Sequence, residues 1–578
     1  MRIGFYLLLT SAALLAADTT PAPAQMTPGA TAPAAQNSLV TSKRTPTAEA
    51  PAFGTKSYFR RVLNPEVPKI ELKAPVRISE FVQAGKLELS LRNYIELVLA
   101  NNTDIQVQRL SVEVPRNAIL RSYSIFDPNL TASFQSARTE TPTNDALAGA
   151  VNLNVLNQPL QVRATQLLPT GTLYNFGFNA AKSSTNSSFA NFNPAITSGM
   201  NFNFEQPLLR GRGTYLTKLP VTIAQSRLRV NEYNIQDQVL RLVNNAENAY
   251  WDVVLAREQL KVQEQNLALN DQFLKRSRRE LELGAISQLD IYQPEAAYKN
   301  AELAVTQAQF RLQSVEDALR RQMAADLDPA FRDLPIILTE DLAAPVQTAL
   351  DRETLVQRAI SQRPDLKATR QSLDVDELQF RTAVNRLKPD FRLTGGYGAF
   401  GRGGTFYQRS NIFTDNGSRS TLINVVPGGL GDALDQLFGF GFPAWNFGVR
   451  LTLPLRDRAA AADYADAVVN KRLDMLRVRS QEQTARLDVV NAITEVERSR
   501  ASIELAGVAL DLAQKRLDAE QKKFDLGTTT LFFVLDAQTQ YNTSKSNLVN
   551  QTVTYRRNLT TLQRVTGDLL NERGIAIQ

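Results

Sequence analysis

Two hydrophobic periods alternate along this chain. Over residues 230–281 a walk in alternate steps of four and three from Leu242 meets nine apolar residues in twelve positions: Leu242, Ala246, Ala249, Val253, Ala256, Leu260, Leu267, Leu274 and Leu281. A mean spacing of about 3.5, sustained over so many turns, predicts a left-handed coiled coil rather than a lone amphipathic helix. At 1.5 Å per residue that helix is roughly 75 Å long. The stripe stops at Leu283-Gly284, and a second one, rich in alanine, starts beyond it at Ala297, Ala301, Ala304 and Ala308. Glycine after the last apolar residue of a helix is the signature of a left-handed C-terminal cap. The pattern therefore predicts two long antiparallel helices joined by a sharp turn. Residues 459–522 and the stretch up to about 566 repeat this plan around Leu526-Gly527. A tyrosine follows each glycine at the same distance, Tyr298 and Tyr541.

Between the helical stretches the period falls to two. Leu130, Ala132 and Phe134 alternate with Thr131, Ser133 and Gln135. Leu160, Val162 and Ala164 precede Pro169-Thr170-Gly171, a turn signature, and Tyr174, Phe176 and Phe178 follow it, so 160–181 reads as a hairpin. Met200, Phe202 and Phe204 alternate with Asn201, Asn203 and Glu205 and end at Pro207. Trp445, Phe447, Val449, Leu451 and Leu453 do the same against Asn446, Gly448, Arg450 and Thr452 and end at Pro454. A Gly-rich strand opens at Phe391, Leu393 and Tyr397. Helical patterns at 89–123 and 353–387 precede the two groups of strands, and a connector with Pro329, Pro335 and Pro345 separates the halves. The order helix, strands, long helical hairpin thus occurs twice. The organisation read from this is a leader at 1–24, a Pro/Ala/Thr-rich arm at 25–88, a first repeat at 89–327 and a second at 328–578.

Composition narrows the function. The chain has 578 residues and contains neither cysteine nor histidine. That excludes a disulfide framework and a Cys-ligated zinc, and it removes the commonest general base. No catalytic motif is present: no enzyme, no metal site and no cofactor are expected. Net charge is +7, with Lys and Arg interspersed among acids along the helices, so solvated helix faces are expected and not a nucleic-acid surface. Arg2 followed by an apolar or small run reads as a secretory leader. No later segment has the roughly 20 apolar residues of a spanning helix.

An exported chain without a spanning helix whose strands carry aromatic residues on one face and Asn, Thr, Gly and Arg on the other points to a membrane β-barrel, apolar face to lipid and polar face to a lumen. One chain has too few strands to close such a barrel, and an open edge cannot sit in lipid. The chain is therefore expected to oligomerise. The hairpin at 160–181 either joins the barrel, giving six strands per chain in place of four, or lies outside it.

The chain resembles the TolC-like family of outer-membrane efflux proteins. The resemblance covers about residues 89–570. It rests on Leu89-Ser90-Leu91 with Asn101-Asn102, Ala249-Tyr250-Trp251, Gln206-Pro207-Leu208, Leu453-Pro454-Leu455, Leu283-Gly284 with Asp290, and Leu526-Gly527-Thr528 with Val534-Leu535-Asp536-Ala537. It implies an α+β membrane protein, a homotrimer with one shared outer-membrane β-barrel continued by a long α-helical coiled-coil periplasmic barrel. The implied function is passive exit duct of a tripartite efflux or type I secretion system, working with a periplasmic adaptor protein and an inner-membrane pump and embedded in outer-membrane lipid.

In that family, links near the helical tips and rings of aspartate close the periplasmic end. Set against this pattern, Asp290 and Asp536 match family acids, Phe524 stands in the place of a tyrosine link, Thr529 in that of an arginine, and Phe533 in that of a second ring aspartate. The implied gate is an acidic ring of Asp536 with an apolar constriction at Phe533. The implied adaptor-docking tips are Leu283, Gly284, Leu526 and Gly527. The competing reading is a non-transport coiled-coil surface or adhesion protein with a membrane barrel anchor.

Overall fold

The structure, a computed structural model, describes residues 53–63, 77–143, 149–284, 286–340, 342, 351–409 and 422–574. The leader at 1–24, most of the arm and residues 410–421 lie outside the described residues. In chain order come α1 (Lys56–Leu63), β1 (Val82–Gln83), β2 (Lys86–Leu89), α2 (Leu91–Asn101), α3 (Thr103–Ser111) and α4 (Glu113–Tyr123). Five strands follow: β3 (Asn129–Phe134), β4 (Ala137–Pro142), β5 (Asn152–Leu167), β6 (Leu173–Thr185) and β7 (Phe192–Pro207). A turn of helix, α5 (Thr214–Thr217), leads into the hairpin of α6 (Leu219–Glu282) and α7 (Tyr292–Gln322). The connector holds α8 (Pro329–Arg332) and β8 (Ile336–Leu338). The second half has α9 (Arg352–Gln362), α10 (Pro364–Arg386), β9 (Asp390–Arg409), β10 (Leu422–Val426), α11 (Leu430–Phe438) and β11 (Phe442–Thr452). Its hairpin is α12 (Arg458–Asp525) and α13 (Leu531–Thr566), and α14 (Leu569–Glu572) ends it.

The long helices exceed the sequence expectation. α6 has 64 residues and α12 has 68, so each is about 100 Å long. α6 starts earlier than the apolar stripe because Pro220 occupies its first turn, where a missing N–H costs nothing. Both hairpins turn as expected: Gly284 and Gly527 have φ of 71° and 74°.

The shorter helices depart from expectation. The pattern at 89–123 is three helices, not one. Asn102 is extended, and its side-chain oxygen accepts from the N–H groups of Asp104 and Ile105, capping α3 and separating it from α2. The pattern at 353–387 is two helices, because Arg363 precedes Pro364 and is driven out of the helical region. Inside the stretch read as an arm, β2 pairs in parallel with β8, placing Leu87 and Leu89 in the core. The beginning of the first half is thereby tied to the connector between the halves.

Two cores hold the helices. The first gathers Tyr94, Ile95, Val243, Tyr250, Trp251, Leu319, Met323 and Ile336. The Tyr250 hydroxyl donates to the Leu89 carbonyl at 3.1 Å, and that of Tyr94 to Gln322 at 3.0 Å. The motifs that carried the family resemblance are thus packing and capping devices. Ser90 caps α2, Asn102 caps α3 and also donates to the Gln322 carbonyl, and Tyr250-Trp251 fill the centre of the core. The second core joins α9, α12 and α13 through Val356, Val489, Ile493, Val496, Tyr555 and Leu562. α6 packs on α7, α10 and α13, and α12 on α9, α10 and α13. Among the described residues no helix is long and apolar enough to cross a membrane.

Eight strands form the large antiparallel sheet, in the order β10-β9-β7-β6-β5-β3, with β11 also on β9 and β4 also on β5. β3 and β4 are two pieces of one edge position, since both lie against β5. β10 and β11 are likewise two pieces against β9. The hairpin left open by the sequence joins this sheet as β5 and β6, so the described residues supply six strand positions. β7 pairs with β9 over most of their length and fuses the two halves into one sheet.

Candidate functional site: a two-faced sheet and paired helical tips

The register sorts the sheet into two chemically opposite faces. Tyr174 lies beside Phe204, Phe176 beside Phe202, Tyr397 beside both Phe202 and Trp445, and Leu393 beside Val449. This apolar face is open: Trp445 is 78% exposed, Phe447 69% and Val449 62%. Such a face cannot remain in water, because several hundred Å² of contiguous apolar surface is the usual limit for a soluble monomer.

The opposite face is a carpet of amides over glycines. Asn203 donates to Asn175 at 3.2 Å. A Cβ at Gly396 would lie within 2.4 Å of Asn203 and 2.2 Å of Asn446, and one at Gly177 within 2.4 Å of Asn201. The glycines therefore make room for amide groups that lie across neighbouring strands. Where the strands meet the helices, Glu205 accepts from Arg392 at 3.1 Å and from Arg450 at 2.7 Å, and Asp390 accepts from Arg392 at 2.8 Å. This cross-strand network ties β7, β9 and β11. Sequence reading missed it, because its members are spread over residues 205–450; only the single charges inside Asn/Thr-faced strands hinted at it.

At the far end of the helices are the two tips. Leu283 and Leu526 are 76% and 79% exposed, so both tips present leucine to the surroundings. Nothing lies within 4 Å of a Cβ built on Gly284 or Gly527. Asp290 closes its turn: its carboxylate accepts from the Ser287 N–H at 3.1 Å. Phe533 is 49% exposed and stacks edge-on with Phe532, ring centres 5.5 Å apart. Thr529 is half-buried. Asp536 is paired: Arg516 of α12 reaches it at 2.7 Å, so the acid expected as free ring charge has a cation beside it.

The structure adds a residue the sequence did not single out. Arg276 of α6 donates to Asp525 of α12 at 2.8 Å and to Glu280 at 3.0 Å, and its guanidinium lies 4.7 Å from the ring centre of Phe524. These partners hold the Arg276 guanidinium above its ordinary pKa, Asp525 contributing most. Phe524, expected in the place of a tyrosine link, presents its ring to this guanidinium, a cation–π contact. Further along the hairpins, Gln538 and Asn542 of α13 both donate to the Asn266 side chain of α6, at 3.1 and 2.7 Å. Polar side-chain contacts thus join the two hairpins near their tips and further along them.

A sheet with one lipid-compatible face and one polar face, joined at one end to long coiled hairpins, is the architecture of a membrane channel with a helical extension. Residues 355–568 match the family model of the outer membrane efflux protein. The fold is that of outer-membrane channels. The CmeC outer membrane channel of Campylobacter jejuni is similar at 15% identity and TM-score 0.57, over 87% of this chain and 94% of CmeC. The outer membrane protein VceC of Vibrio cholerae is similar at 16% and 0.57, over 82% and 96%. The MtrE outer membrane channel of Neisseria gonorrhoeae, in its open state, is similar at 16% and 0.54, over 83% and 89%. No curated protein matches the sequence. The resemblance to the TolC-like outer-membrane efflux family is borne out by the family match in the second half and by the fold over most of the chain.

Proposed function

We propose that this chain is the outer-membrane exit duct of a tripartite efflux or type I secretion system, conducting substrates passively to the exterior. The observation that carries this reading is the two-faced sheet, whose outermost strands among the described residues are β3/β4 at one side and β10/β11 at the other, each paired on one side only; lipid tolerates only a closed barrel. Three copies, pairing edge to edge, enclose a lumen lined by the amide face and set the aromatic face in outer-membrane lipid. The helical hairpins then extend into the periplasm. Their leucine-bearing tips at Leu283-Gly284 and Leu526-Gly527 dock a periplasmic adaptor, which connects the duct to an inner-membrane pump.

The gate lies at the same end. Arg276, bridging Phe524 and Asp525, latches one hairpin to the other, with Phe533 as apolar constriction and the Asp536–Arg516 pair beside it. Asp290 serves the turn and Thr529 replaces a link that this chain lacks. Purified protein should run as a heat-modifiable oligomer and form discrete channels in planar lipid bilayers. Absence of both would leave the adhesive-scaffold reading in its place.

A further inference from the structure

α11 has no counterpart in the sequence expectation, and its place is built by the strands beneath it. A Cβ at Gly401 would lie 1.9 Å from the Ala433 carbonyl oxygen, and one at Gly403 2.1 Å from that of Gly429. The helix backbone thus rests directly on the backbone of β9. Ser198 of β7 donates to the same Ala433 carbonyl at 2.7 Å, and Gln436 accepts from the Arg402 N–H at 3.0 Å. Ala433 and Leu437 are fully buried against the strands. The Asp432 carboxylate caps the helix by accepting from the Gly429 N–H at 2.6 Å.

The face on which α11 lies is the apolar one. Gly401 and Gly403 belong to the same strand face as Leu393, Tyr397 and Ala399, and Tyr397 contacts the ring of Phe440 just beyond α11, centres 6.2 Å apart. α11 sits at the end of β9 away from α10. The apolar face left open below the helix runs along the neighbouring 11-residue β11 through Trp445, Phe447, Val449 and Leu451, close to the roughly 10 residues that a tilted strand needs to cross a bilayer. Beyond its buried side, α11 carries a second apolar ridge. Leu430, Leu434 and Phe438 stand four residues apart, on one line of a helix. Leu430 is 48% exposed and Phe438 62%, with Phe440 at 48% next to them. Asp432 and Asp435 are exposed on the remaining side.

We infer that α11 is an interfacial anchor. Its Leu430–Phe438 ridge, with Phe440, is immersed in outer-leaflet lipid at the outer rim of the barrel, while Asp432 and Asp435 stay in water. The inference rests on the barrel reading above and adds a lipid contact made by a helix instead of a strand. The physical logic is that of a helix lying in the membrane boundary: an apolar ridge, a polar flank and aromatic residues at headgroup depth. Continuity decides the partner, since the ridge extends the same apolar face that Trp445, Phe447 and Val449 leave open.

The chain has no cysteine, so single-cysteine variants of the full-length protein can be spin-labelled without background. Phe438→Cys, Phe447→Cys and Asn203→Cys, reconstituted in phosphatidylcholine/phosphatidylglycerol vesicles, would be compared for collision with dissolved oxygen and with a water-soluble nickel chelate. The expected result is that positions 438 and 447 favour oxygen several-fold and position 203 favours nickel. Nickel preference at 438, with 447 still favouring oxygen, overturns the anchor and spares the barrel. Shielding of 438 from both reagents, with spin–spin broadening, places a second copy of the chain on the ridge and also overturns it. Nickel preference at 447 removes the barrel reading and the anchor with it.

Discussion

Arg276 and Asp525 join the two helical hairpins close to their tips, Nη1 to Oδ1 at 2.8 Å, although they lie 249 residues apart in the chain. Both side chains are about half exposed, so the pair adds little to stability, roughly 0–1 kcal/mol. Its consequence is positional. Arg276→Ala should leave the melting temperature nearly unchanged yet raise basal conductance in planar bilayers. Unaltered conductance would place the closure elsewhere.

The Asp536–Arg516 pair changes what substitution at the expected acidic ring should do. With Arg516 at 2.7 Å, the field of Asp536 is partly neutralised. Asp536→Ala should therefore lower cation selectivity only modestly. Arg516→Ala, which frees the carboxylate, should raise it. Reversal potentials across a salt gradient separate the two, and equal shifts of the same sign would count against the pairing.

Asp376 of α10 faces Asp474 of α12, and burial, together with the hydrogen bond and repulsion between the two acids, raises its pKa to about 6. Arg477, bonded to Asp474 at 2.6 Å, opposes that rise only in part. Lys471, Arg381 and Glu377 form a separate ion-pair group on the same two helices. A carboxyl that binds its proton more tightly when folded stabilises the fold at low pH, and that contribution is lost as pH rises through about 6. Thermal stability in detergent should fall as pH rises from about 4 to about 6, and Asp376→Asn should flatten that slope. An unchanged slope in the variant would exclude this pair as its source.

Glycine substitutions should divide by mechanism. At Gly527, with φ 74° and nothing near its Cβ, alanine meets only backbone strain, about 1–2 kcal/mol. At Gly401 the new Cβ meets the backbone of α11, which must lift away. Gly401→Val should thus expose α11 to limited proteolysis, whereas Gly527→Ala should leave that pattern intact.

Glu247 is 1% exposed and held by Arg573 at 2.5 Å and by the Thr560 hydroxyl at 2.8 Å, which fastens the end of the chain to α6. Removing the arginine strands a buried carboxylate. Arg573→Ala should cost about 3 kcal/mol, measured by denaturation in detergent, and a double replacement of both partners by apolar residues should cost less. Equal costs would mean that the pair does not act as a unit.

Periodicity by itself determined the long hairpins, their glycine turns and the two-faced strands, because these follow from residues close in sequence. A 3.5 spacing, a cap and a two-residue alternation are local rules, and 230–281, Gly284, Gly527 and 442–452 obeyed them. The order helix, strands, long helical hairpin, met twice along the chain, was legible for the same reason. What only the tertiary structure decided involves residues distant in sequence or backbone choices set by context. Arg276 finding Asp525, Arg516 finding Asp536, and Glu205 gathering Arg392 and Arg450 depend on which helices and strands become neighbours. The breaks at Asn102 and Arg363 rest on a side-chain cap and on a following proline, which a smooth apolar stripe conceals. α11 was hidden in a short glycine-flanked stretch, since the glycines that receive it, Gly401 and Gly403, stand on β9 and explain themselves only once a helix lies on them.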